Sequence, residues 1–115
     1  MAAADAVTTS QIALVESRAA LGRMRAGGRL SASAHRMRLR DFTTFWTRTA
    51  AAAVDEETTE RAAHLAERHR LSAYDAVHLA SALTVAAVEP MTFACFDAEL
   101  RAAAAAERLT LAPAA

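Results

Sequence analysis

The chain has 115 residues, enough for one domain with a single core and too few for two. With 54% apolar and 23% charged residues it has a globular composition, which argues against disorder. Its formal net charge of zero excludes a general polyanion coat as its main mode of action, while local basic patches remain allowed.

In chain order, residues 7–10 are short and β-branched and read as a strand. Residues 11–26 turn helical, and Gly27-Gly28 stops the helix. Ser31 or Ser33 can cap a second helix reaching Arg48, with Leu39, Phe42, Phe45 and Trp46 as apolar anchors. Residues 49–54 are open: their alanines favour helix, while their length and flanks fit a short buried strand. Residues 55–70 form an amphipathic helix, with Ala62, Leu65, Ala66 and His69 on one face. Ser72 caps a markedly apolar helix over 73–88, broken by Glu89-Pro90. Residues 92–96 read as a buried strand, 97–106 as a helix opened by Asp97, and 109–112 as a last short strand. The alternation points to an α/β fold with a parallel sheet.

Alanine fills 33 positions and aromatics only 5%, so the core is one of small side chains. All 13 basic residues are arginine. Eight of them fall within residues 18–48, against the single acid Asp41. They match phosphate geometry, and they equally suit an ordinary solvated helix surface. Cys95 is the only cysteine, which excludes an internal disulfide and a cysteine-only zinc site and points to a reducing, cytoplasmic setting. Placed mid-strand among Phe93, Ala94 and Phe96, it reads as an inert core thiol. No run of 18 apolar residues occurs, so no membrane span is expected, and residues 1–6 lack the basic start of a secretory signal.

Three carboxylates stand where solvent does not explain them. Glu16 shares a helix face with Ile12, Ala19 and Ala20; an ion pair with Arg18 or Arg23, or a rim position, would account for it without a function. Asp75 opens the apolar helix, where Ser72-x-x-Asp75 has capping-box spacing and an acid in the first turn gains from the helix dipole. Asp97 follows a strand and starts a helix. A helix cap is its plain use, yet carboxyl ends of strands are where open α/β sheets bind ligands. The four histidines form no convincing site: His64 and His69 point about 140° apart on a helix, and His78 reads as a packed helix residue although it could share an ion with Asp75. Phosphate loops, nucleophile elbows and zinc-ligand spacings are absent.

The segments around those acids carry a resemblance. Thr9-Ser-Gln-Ile-Ala-Leu-Val-Glu-Ser-Arg-Ala-Ala-Leu21 resembles the second strand and following helix of PIN-domain ribonucleases. Tyr74-Asp-Ala-Val-His-Leu-Ala-Ser-Ala82 is similar to that family's most recognisable helix, and Thr92-Phe-Ala-Cys-Phe-Asp97 to its late strand-plus-acid motif. Their order and separations fit over essentially the whole chain, most closely to VapC toxins of bacterial toxin–antitoxin pairs. The resemblance implies a metal-dependent endoribonuclease that hydrolyses RNA phosphodiester bonds. Glu16, Asp75 and Asp97 would be its catalytic acids and the ligands of Mg2+ or Mn2+. It also implies a cognate VapB-like antitoxin and a homodimer.

Family members begin with an Asp-bearing strand in a pattern like Asp-x-Ser-Ala-Leu-Val, and this chain starts just before the family's second strand. The expectation is therefore a single, N-terminally incomplete PIN-like domain over 1–115. It would be a three-layer α/β fold with a short parallel sheet flanked by helices and the first, central strand missing, impaired in activity and marginal in stability. The alternative is a non-catalytic PIN-like remnant acting as a protein-binding module.

Overall fold

A computed structural model describes residues 7–113. The elements run β1 (Thr8–Ser10), α1 (Ile12–Ala26), α2 (Ala32–Thr47), β2 (Ala50–Ala52), α3 (Glu56–His69), α4 (Ala73–Ala86) and α5 (Ala98–Ala106). Five helices accompany the short strands, and β1 and β2 pair in a short parallel sheet, in keeping with the expected α/β class. The open segment 49–54 is thereby decided: alanine favours helix by itself, but the Ala50 N–H donates to the Val7 carbonyl at 2.9 Å and the pairing overrides propensity. The chain divides into two compact units, the boundary falling between Ala51 and Ala52.

In the first unit, Gly28 adopts φ +77°, a left-handed turn that lets the Arg29 and Leu30 N–H groups reach back to the Met24 carbonyl at 2.9 and 3.2 Å. Of the two candidate caps of α2, Ser31 is the one used, its hydroxyl accepting from the Ala34 N–H at 3.0 Å. Phe42 and Trp46 stack with ring centroids 5.9 Å apart. Neither α1 nor α2 contains a buried residue; Ile12, Leu14, Leu21, Leu39, Phe42 and Trp46 are only half-buried.

The second unit holds the core. Ala62 and Leu65 of α3, Leu71, Ala76, Leu79 and Ala80 of α4 and its approach, and Leu100, Ala103 and Ala104 of α5 form one buried cluster. Alanine on facing helices permits close approach, and each buried leucine contributes about 1.5–3 kcal/mol. Asp55 caps α3, its Oδ1 accepting from the Thr58 N–H at 2.8 Å, and these Thr58 hydrogen bonds hold the carboxyl below its ordinary range. Arg70 at φ 54° ends α3 and lets the Leu71 N–H reach the Ala66 carbonyl at 3.2 Å.

The strands expected over 92–96 and 109–112 are a correction. Among the described residues these segments meet in a single parallel bridge, Phe93 with Leu111, made by the Phe93 N–H to Thr110 carbonyl bond at 2.8 Å and the Ala112 N–H to Phe93 carbonyl bond at 2.9 Å. Beyond the bridge the Ala112 carbonyl meets the Arg101 guanidinium at 2.9 Å and not the Cys95 N–H, and the same guanidinium donates to the Cys95 carbonyl at 3.1 Å.

Candidate active site

Asp75 stands in the first turn of α4, half-buried. The Ser72 hydroxyl accepts from the Asp75 N–H at 3.2 Å, but no return bond from the Ser72 N–H to the Asp75 carboxylate is formed, so the capping box is only half made. The backbone of Asp75 is thus held while its carboxylate is not consumed by the cap. Asp97 is the N-cap of α5, and its Oδ1 accepts from the Leu100 N–H at 2.8 Å. Its side chain makes no ion pair among the described residues and is exposed to solvent.

Cys95 lies two residues before Asp97 and is half-buried. Burial pushes its thiol above the ordinary range, Arg101 opposes that, and the negative charges of Asp97 and Asp75 both add to it.

Glu16 is exposed on α1, in the first unit, while its face-mates Ile12, Ala19 and Ala20 are half-buried. The ion pair to Arg18 or Arg23 that would explain it is not formed. Among the described residues no group of three or more His, Cys, Asp or Glu is placed to hold a metal ion together. His78 packs edge-on against Tyr74, ring centroids 4.3 Å apart.

Sequence reasoning passed over two features. Arg101 carries no sequence signal of its own, because its contacts are with carbonyls six and eleven residues away. His69 Nε2 meets Glu107 Oε2 at 2.9 Å with Arg68 at 3.2 Å, joining the end of α3 to the end of α5. An open cleft of about 330 Å³ beside them is lined by His69, Arg70, Glu99, Ala102 and Ala103 and includes neither Asp75 nor Asp97.

No helix among the described residues is long and apolar enough to cross a membrane. Residues 1–106 match the PIN domain family. The chain is 37% identical over 111 residues to Ribonuclease VapC45 of Mycobacterium tuberculosis (strain CDC 1551 / Oshkosh), a match covering 96% of this chain and 76% of that relative. It matches Ribonuclease VapC49 of Mycobacterium tuberculosis (strain ATCC 25618 / H37Rv) with the same identity of 37% and the same coverage of 96% and 76%. No solved structure matches it significantly.

Proposed function

We propose that this chain, which belongs to the PIN-domain family and within it to the VapC ribonucleases, is a metal-dependent endoribonuclease acting as the toxin of a toxin–antitoxin pair. The observation that carries the reading is the match of residues 1–106 to the PIN domain together with 37% identity to two ribonucleases, and Asp75 and Asp97, neither neutralised by an internal ion pair, are free to serve it. Two carboxylates suit a hard divalent ion, since Mg2+ is commonly held by one or two carboxylates together with substrate phosphate and water. Asp75 and Asp97 would hold it, and the family resemblance adds Glu16 as a third acid. When bound, such an ion supplies an activated water and charge stabilisation at the scissile phosphate.

The chain's own residues do the rest. Asp97 commits Oδ1 to the Leu100 N–H and leaves Oδ2 for a ligand. Asp75 has its backbone held by the bond to Ser72 in the first turn of α4, and its carboxylate is not spent on the cap. The eight arginines between residues 18 and 48 are all exposed and none is in an ion pair, which suits them to RNA phosphates. The alternative of a non-catalytic binding module is not favoured, since both relatives are named as ribonucleases.

The partners follow the same reading: an RNA substrate in the cytoplasm, a VapB-like antitoxin whose arginine competes with metal for the carboxylates, and a second copy covering exposed Val15, Met37 and Phe45. Co-purification with the product of the adjacent open reading frame tests the antitoxin, and sedimentation tests the dimer. The activity is tested by incubating the purified chain with RNA in Mg2+ or Mn2+ and in EDTA. Cleavage in metal, its loss in EDTA and a drop of at least ~10²-fold in Asp75→Asn are expected. Undiminished cleavage in EDTA would falsify the metal mechanism.

A further inference from the structure

The geometry points to Arg101 as a positioning residue of the site: its guanidinium fixes where the extended segment before Asp97 stops, and so where the Asp97 carboxylate stands. The inference rests on the reading of Asp75 and Asp97 as metal ligands.

In a parallel pair, one residue donates to the partner strand on one side and accepts from it on the other. Phe93 does this with the Thr110 carbonyl at 2.8 Å and the Ala112 N–H at 2.9 Å. Two residues on, the pattern would send the Cys95 N–H to the Ala112 carbonyl, and that bond is not made. Arg101 Nη1 donates to the Ala112 carbonyl at 2.9 Å and to the Cys95 carbonyl at 3.1 Å. One nitrogen with two N–H groups thus ties the two segments together beyond the bridge.

The same residue also holds Asp97 from the other side. The Arg101 N–H donates to the Asp97 carbonyl at 2.9 Å in the first turn of α5. Residues 95–97 are therefore spanned by one side chain and one backbone bond of a single arginine. The Asp97 Oδ1 is pinned to Leu100 inside that span, at 2.8 Å, which leaves the carboxylate little freedom to swing. Without the guanidinium, two carbonyls of the half-buried segment lose their donor, and the register at which strand becomes helix is no longer fixed.

The test is a titration of the full chain with Mn2+, read by water-proton relaxation well below each variant's melting midpoint, for wild type, Arg101→Met, Arg101→Lys, Asp97→Asn and Glu107→Gln. Loss of a residue that orients a metal ligand typically weakens metal binding 10–100-fold, so Arg101→Met is expected to bind Mn2+ about 10-fold more weakly. Arg101→Lys, which keeps the donors, is expected to recover to within about threefold of wild type. Glu107→Gln loosens the unit elsewhere, so its midpoint should fall with Mn2+ affinity unchanged, separating positioning from stability. Wild-type Mn2+ affinity in Arg101→Met, with affinity lost in Asp97→Asn, would overturn the role of Arg101 alone. Wild-type affinity in Asp97→Asn would overturn the carboxylate reading and this inference with it.

Discussion

Asp97 carries two duties on one carboxylate, and chemistry separates them. As a helix cap it needs only an oxygen for the Leu100 N–H, which an amide supplies equally well. As a cation ligand it needs the charge. Asp97→Asn should therefore keep its melting midpoint near wild type and lose RNA cleavage by ~10²-fold or more. Asp97→Ala should lose the cleavage and also about 1 kcal/mol of stability, read as a lower midpoint by calorimetry. Equal cleavage by wild type and Asp97→Asn would leave Asp97 as a cap and nothing else. Caps of this kind were legible in the sequence, because a Ser or Asp three residues from its N–H partner acts within one turn; Ser72 and Asp97 sit where that rule put them. Arg101 was not legible, because its carbonyl partners at Cys95 and Ala112 are brought to it only by the packing of α5.

At the level of elements, α3 and α5 are fastened at their ends by Glu107. Its bond from His69, and then those from Arg68, hold its carboxyl below the ordinary range against a smaller opposing effect of burial. An acid whose pKa is depressed on folding stabilises the fold above its unfolded value, and that contribution is lost as pH falls through the folded value. The clasp is thus present at neutral pH and fails on the acid side, below about pH 4.5. Glu107→Gln should lower the midpoint at pH 7 by about 5 °C, the counterpart of roughly 1 kcal/mol in a chain this size, and the difference from wild type should vanish near pH 3. A difference that persisted unchanged at pH 3 would show that the charge is not what holds the clasp. The helices themselves could be read from the 3.6-residue pattern and their stops. The short strands could not be delimited, since a three-residue strand and a single bridge have the same apolar signature and differ only in which neighbours supply hydrogen bonds.

For the molecule as a whole, the two units differ in how much they bury. The second has a contiguous core centred on Leu79 at 0% exposure, whereas α1 and α2 bury no residue at all. Amides of α1 and α2 should therefore exchange with solvent at least ~10²-fold faster than those of α4, and a uniform exchange rate across both would contradict this reading of the packing. The family was legible because three short motifs in order identify it, and the matches to the PIN domain and to mycobacterial ribonucleases agree. The course of the segment that leads into Asp97 was not, because it depends on tertiary contacts such as those of Arg101 with the Cys95 and Ala112 carbonyls.

The most direct test of the account is to locate a bound divalent ion. Mn2+ added below stoichiometric amounts to the isotopically labelled chain should broaden the amide signals beside Asp75 and Asp97 first, and excess Mg2+ should restore them. Broadening confined to another acidic stretch such as residues 55–60, with the amides around Asp75 and Asp97 left sharp, would contradict the account.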